Sequence, residues 1–192
     1  MPQIVSLKAN MSLAEAASQF RGGAARAWFL ARWRGPLVGV GTTYIPYRVF
    51  QVEVSNRGQK QVSWLALDAV TAQLDLYQFD SPPAPMDVLS IETDAALPAR
   101  LSVGDMRPIL IERVRRQVYL GGFFRLRGLQ IEVESAGMDL HLPYWVGICR
   151  KGNRVSFEVI NAVRRQLEGA KMRGVLLQWV SDEHLQVVTP LR

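Results

Sequence analysis

The sequence predicts an α+β fold made of two duplicated units, each a helix followed by an antiparallel β-hairpin, with the two units able to share one sheet. Three observations predict it. A helix with a strong start signal opens the chain. Two Pro-Tyr strands, "YIPYRVFQVEV" (44–54) and "HLPYWVGICRK" (141–151), each lead into a hairpin pattern. A second helical pattern stands before the second of these hairpins.

The elements follow in order. "SLAE" at 12–15 reads as a capping box, with Ser12 as N-cap and Glu15 reaching back from three positions on. Leu13, Ala16, Ala17 and Phe20 then make one apolar stripe, which Gly22-Gly23 interrupts. "YRVFQVEV" (47–54) and "QVSWLALDAV" (61–70) read as strands around "SNRGQK" (55–60), a longer loop turned by Asn56 and Gly58. Phe50, Val52 and Val54 share one strand face and Gln51 and Glu53 the other, so the sheet is expected to be covered on one side only. Residues 79–104 hold four prolines and little periodicity, a linker too long for an inert connection and readable as an extended arm. Asp105 is expected to cap a second helix with Pro108 in its first turn, where proline is tolerated. Ile111, Val114 and Val118 make the predicted buried face of that helix. "LPYWVGICR" (142–150), the tight turn "KGN" (151–153) and "RVSFEVINA" (154–162) form the second hairpin, with Val155, Phe157 and Val159 alternating on one face. "EGAKMRGVLLQWV" (168–180) reads as a further helix and "HLQVVTPL" as a last edge strand. The domain division expected from this order is a first repeat at 1–78, the Pro-rich linker at 79–104 and a second repeat at 105–192.

The repeat is visible residue by residue. At an offset of 93, "QVSWLALDAVTAQLD" (61–75) falls on "RVSFEVINAVRRQLE" (154–168), and Val62, Ser63, Ala69, Val70, Gln73 and Leu74 recur identically. Trp64 meets Phe157 and Asp68 meets Asn161; Trp64 and Phe157 are predicted core residues. "RWRG" (32–35) meets "RLRG" (125–128) at the same offset, whereas the Pro-Tyr strands match at 97.

The strand that ends in Asp68-Ala69-Val70-Thr71 resembles the PepSY domain, a small module of helix, strand, turn and strand closing on Asp-Ala-x-Thr-Gly, often found in tandem. Here Ala72 stands where that family has glycine, and Asn161-Ala162-Val163-Arg164-Arg165 keeps the alanine of the motif alone. The resemblance spans about two-thirds of the chain. It implies a non-catalytic module that binds or inhibits other proteins, in a family that mostly acts outside the cytoplasm.

Composition bounds the rest. The chain has 192 residues, 48% hydrophobic and 21% charged, an ordinary globular balance for one domain or two small ones. A chain of this size buries about 70% of its unfolded surface and needs neither disulfide nor metal to fold. Cys149 is the single cysteine, which suits a reducing compartment. The N-terminal segment lacks the basic start, apolar run and cleavage site of a signal peptide. No stretch approaches the roughly 18 apolar residues of a membrane span. A cytoplasmic location is therefore expected, with a membrane-bound partner still open.

Net charge is +6, and 19 of the 23 basic residues are arginine. Arginine forks bind carboxylate and phosphate bidentately, a bias toward interfaces. Arg113, Arg116, Arg164, Arg165 and Arg173 are the basic-surface candidates, and only their clustering in space would make a nucleic-acid footprint. The Pro-Tyr pairs have two readings. Proline marks a strand start or a sheet edge, which makes them architecture. Exposed Tyr47, Arg48, Tyr144 and Trp145 would instead make an interface hot spot, because Tyr, Trp and Arg dominate such sites.

The search for chemistry finds no catalytic set. His141 and His184 have no second ligand type at metal spacing, "RGGAARA" (21–27) lacks the phosphate-loop lysine, and no metal or cofactor is expected. The enzyme reading calls for a deep pocket lined by Asp68, His141 or Cys149. Asp68 at a strand end suits a side-chain-to-backbone bond, and Asn161 can make the same bond without charge. The leading expectation is a non-enzymatic protein-binding or assembly module, an accessory subunit or adaptor of a larger complex. An arginine-rich nucleic-acid-binding protein is the alternative and a small enzyme the third.

Overall fold

The computed structural model describes residues 1–22, 35–56, 59–120, 128–180 and 187–190. The turn glycine Gly58, most of the "RWRG" and "RLRG" matches and His184 in its "DEH" stretch lie outside the described residues. In chain order the elements are β1 (Gln3–Leu7), α1 (Leu13–Arg21), β2 (Leu37–Asn56), β3 (Gln59–Asp68), β4 (Tyr77–Phe79), β5 (Val88–Glu92), α2 (Val103–Leu120), β6 (Gln130–Lys151), β7 (Arg154–Asn161), β8 (Gln166–Leu167), α3 (Ala170–Val180) and β9 (Val187–Pro190). The class is α+β. Among the described residues nine strands pair in the order β4-β3-β2-β6-β1-β5, with β7 on β6, β8 on β7 and β9 on β2. The pairing is mostly antiparallel; β1 meets β6 in parallel through Ser6 and His141.

The chain forms two compact units. One gathers residues 1–45, 87–97 and 141–192, the other residues 46–86 and 98–140. The division therefore does not follow the order of the two sequence repeats. It cuts within β2, after Ile45, and within β6, after Leu140.

In the unit of residues 46–86 and 98–140, α2 lies on the β2–β3 hairpin. Met106, Leu110 and Val114 of the helix share one apolar cluster with Phe50, Val52, Leu65, Leu67 and Val133. The helix starts before the position expected for it. Ser102, not Asp105, is the N-cap: its Oγ accepts the Asp105 N–H at 3.2 Å while the Asp105 carboxylate accepts the Ser102 N–H at 3.1 Å. These reciprocal bonds satisfy two donors that no helical carbonyl can reach. The earlier start places Pro108 inside the helix rather than in its first turn. The buried face is Met106, Leu110 and Val114, and of the expected face Ile111 and Val118 are half-buried.

In the other unit, Ala16, Ala17 and Phe20 of α1 pack with Met11, Val40 and Ile160, and Trp145 sits half-buried against them. Ser12 caps α1 through the expected box with Glu15, and the helix ends at Gly22, whose φ is +70°. Residues within the predicted linker join this unit. β5 pairs with β1, Tyr44 N–H donates to the Ala95 carbonyl at 3.0 Å, and Leu97 N–H to that of Tyr44 at 2.9 Å.

The first ladder runs from Tyr47↔Asp68 to Asn56↔Gln59, so residues 55, 56, 59 and 60 of the expected loop are paired strand. The second runs from Tyr144↔Asn161 to Lys151↔Arg154, around Gly152-Asn153. The second ladder lacks two rungs of the first, four residues, which is the difference between the offsets 97 and 93. Trp64 and Phe157 are half-buried rather than core. The strand residues that face the helices are Leu65 and Leu67 in one hairpin and Ile160 in the other. Alternation along a strand then places Trp64 and Phe157 on the opposite face. Val62 and Val155, nearer the turns, are exposed.

Candidate functional site

The Pro-Tyr residues are interior. Tyr47 is 2% exposed and Tyr144 1%, so neither can serve as the exposed hot spot considered for them. Each sits directly across the ladder from the polar residue that ends its partner strand, Asp68 or Asn161. Asp68 is fully buried. Its Oδ1 accepts from the N–H of Thr71 at 2.7 Å, the N–H of Ala72 at 3.0 Å and the Thr71 hydroxyl at 3.1 Å; Oδ2 accepts from Leu74 N–H at 2.9 Å. Asn161 Oδ1 accepts from Val163 N–H at 3.0 Å and Arg164 N–H at 2.9 Å, and its amide donates to the Tyr144 hydroxyl at 3.3 Å. Both side chains organise the turn that follows their strand, the local use expected of Asp and Asn there.

The residues after the tyrosines, Arg48 and Trp145, were the other hot-spot candidates. Trp145 Nε1–H donates to the Met11 carbonyl at 3.0 Å and Arg48 Nη1–H to the Leu101 carbonyl at 2.6 Å. Met11 and Leu101 each precede a helix cap. Arg48 also pairs with Asp139 at 3.1 Å. Both side chains bond the residue before a helix cap, and the Arg48–Asp139 pair lies at the surface.

The catalytic candidates do not converge. Asp68 is held in its turn, Cys149 is buried in β6, and His141 lies half-buried beside β1, its backbone carbonyl taking the Ser6 hydroxyl at 3.0 Å. Asp68 belongs to one compact unit, His141 and Cys149 to the other. Among the described residues no group of His, Cys, Asp and Glu could hold a metal, and no helix is long and apolar enough to cross a membrane.

The basic candidates divide by role. Arg113 donates to the Leu74 carbonyl at 2.6 Å and to that of Ala72, so it clamps the turn that Asp68 organises. Arg165 donates to the Asn10 carbonyl at 2.9 Å and to the Glu15 carboxylate at 2.8 Å. That carboxylate is drawn down to about 2, first by the Ser12 N–H and then by the Arg165 guanidinium and the Ser12 hydroxyl. Arg116 and Arg164 are exposed and Arg173 half-exposed. Arg113 and Arg116 lie in one unit, and Arg164, Arg165 and Arg173 in the other.

Exposed apolar residues are spread over several elements, Val5, Leu89, Val155, Leu167 and Leu177 among them, and α2 carries Tyr119 and Leu120. Opposite its buried stripe the helix presents Pro108, Glu112, Arg116 and Tyr119, with Ile109 and Leu120 at one margin and Arg115 at the other, and these residues line a shallow concavity. Tyr119 is 53% exposed and Leu120 79%. Glu112 is occupied by an ion pair with Arg115. A second concavity, of about 640 Å³, joins the end of α2 to the tip of the first hairpin. Val54 and Val118 are its apolar walls and Asn56, Gln59, Lys60, Gln61 and Gln117 its polar ones. Lys60 is held by Glu53 at 2.6 Å, and that carboxylate raises its ammonium above the ordinary lysine range. Sequence reasoning did not single out Tyr119 or Leu120. The available signal was helical spacing: Pro108, Glu112, Arg116 and Tyr119 follow one another three to four residues apart, on the side away from Met106, Leu110 and Val114, and Leu120 stands four residues after Arg116 at the margin.

Comparison with known protein families, characterised proteins and solved structures finds no match to this chain.

Proposed function

We propose that the protein is a non-enzymatic protein-binding module, built from two copies of one helix-plus-hairpin unit, and that it engages its partner through the outer face of α2. The observation that carries the reading is the exposure of Tyr119 and Leu120 beside Arg116 on a helix whose opposite face is already buried. A surface helix is ordinarily apolar on its core side only. Tyr and Arg together are the residue types that contribute most at protein interfaces. The duplication is supported by the matched ladders and by two left-handed residues 93 positions apart, Ala72 at φ +53° and Arg165 at φ +59°. Both occupy the position of the glycine in the PepSY motif, which also favours that kinship. On this reading the protein works as an accessory subunit or adaptor.

The test compares the full chain with a Tyr119→Ala, Leu120→Ser variant as bait in a native lysate. The wild type is expected to retain a stoichiometric protein partner, and the variant to lose it with an unchanged melting curve. Equal retention by both, or retention of nothing, overturns the reading. The net charge of +6 favours nucleic acid as a second reading. That reading expects binding of mixed-sequence duplex at low salt that weakens steeply as salt rises.

A further inference from the structure

Each compact unit takes its parts from both halves of the chain. The unit of residues 1–45, 87–97 and 141–192 joins α1 and the start of β2 to the β6–β7 hairpin. The unit of residues 46–86 and 98–140 reverses the arrangement, joining α2 and the start of β6 to the β2–β3 hairpin. Among the described residues, α1 packs with Ile160 and Trp145 of the second hairpin and α2 with Phe50, Leu65 and Leu67 of the first.

The bonds that fasten helix to hairpin come in corresponding pairs. Asn10 N–H donates to the Ala162 carbonyl at 2.9 Å, and Arg100 N–H to that of Ala69 at 2.8 Å. Asn10 and Arg100 each stand two residues before a helix cap, and Ala162 and Ala69 each follow the last residue of a hairpin. Trp145 reaches the Met11 carbonyl and Arg48 that of Leu101, again from the hairpin of one half to the helix entrance of the other. The cores correspond too. Phe20 of α1 lies over Gly147, and the residue at the matching strand position in the other unit is Phe50, clustered with Leu110. The large ring comes from the helix in one unit and from the strand in the other.

We infer that the two halves of this chain are reciprocal binding partners. Each half presents a helix-and-strand arm that recognises the hairpin of the other, so the protein is in effect a dimer whose subunits are tethered. The tether runs through Asp80, Ser81 and Pro82, all exposed, and the partner of residues 1–81 is residues 82–192. This stands independently of what the outer face of α2 binds.

The experiment inserts a specific protease site between Ser81 and Pro82 of the full chain and cuts the folded protein. If the insertion alone lowers the melting temperature of the uncut chain, the site is moved between Pro83 and Ala84. The nicked protein is expected to keep the elution volume and helical signal of the uncut chain. Its melting temperature should fall on tenfold dilution while that of the uncut chain does not, because unfolding has become dissociation. After separation in denaturant, neither fragment alone should melt cooperatively, and mixing should restore the transition. Fragments that part under native conditions, or either fragment folding cooperatively by itself, would overturn the inference.

Discussion

A β-carbon added at Gly147 would lie 2.8 Å from the Phe20 ring, closer than such atoms approach in folded proteins. The strand leaves out its side chain so that the helix can insert one. Gly147→Ala is therefore expected to cost about 1–3 kcal/mol, the range of an overpacked core, and Phe20→Leu in the same chain should recover part of it. Chemical denaturation of the single and double variants measures this; additive losses would show that the two residues do not share one space. Glu15 permits a second test at this scale. Its carboxylate lies at about 2 in the folded chain against an ordinary 4.5, because the Ser12 N–H and Arg165 both favour the ionised form. A depressed folded value means stability that is fully present above 4.5 and lost as pH falls toward 2. The melting-temperature gap between wild type and Glu15→Gln should be full near neutrality and close across that interval. A gap that stays constant from pH 6 to pH 2 would contradict the assignment.

Elements were legible where their signals are local. The Ser12 box, the "KGN" turn, the C-terminal helix and both hairpins stand where the sequence places them, because capping, turn chemistry and alternation act over a few residues. Strand parity was misread for a physical reason. Val155, Phe157 and Val159 alternate on one face and Trp64 matches Phe157 in the repeat, which pointed both to the core. Yet the helix in each unit covers the face of Leu67 and of Ile160. Leu67→Ala is expected to cost about 2–5 kcal/mol, as buried leucines do, and Trp64→Ala clearly less despite the larger truncation. Urea unfolding of the two variants checks the order; a costlier Trp64→Ala would restore the original assignment of faces. The second helix was found one turn late because Asp105 is a strong capping type, whereas Ser102 caps and Asp105 reciprocates from three residues on. The Pro-Tyr pairs were visible as a repeat, but their burial was not, since tyrosine suits both an interior with a hydroxyl partner and an interface. Tyr119 and Leu120 carried no motif.

At the scale of the whole molecule, the composition of the units could not be read from the sequence. Periodicity says that a helix has an apolar face and a hairpin a face to cover; it does not say which helix covers which hairpin. Both hairpins offer matching ladders and both helices enter through a serine box, so local rules fit either assignment. Long-range packing decides, through the Asn10–Ala162 and Arg100–Ala69 bonds and the cores beneath them. The most direct measurement is hydrogen exchange on the full-length Leu110→Ala variant, which opens a cavity under α2. The expected result is faster exchange in α2 together with the first hairpin, residues 47–68, while the second hairpin, residues 144–161, keeps its protection. Loosening of residues 144–161 together with α2, with residues 47–68 unaffected, would mean that each helix serves the hairpin that follows it and would contradict the account.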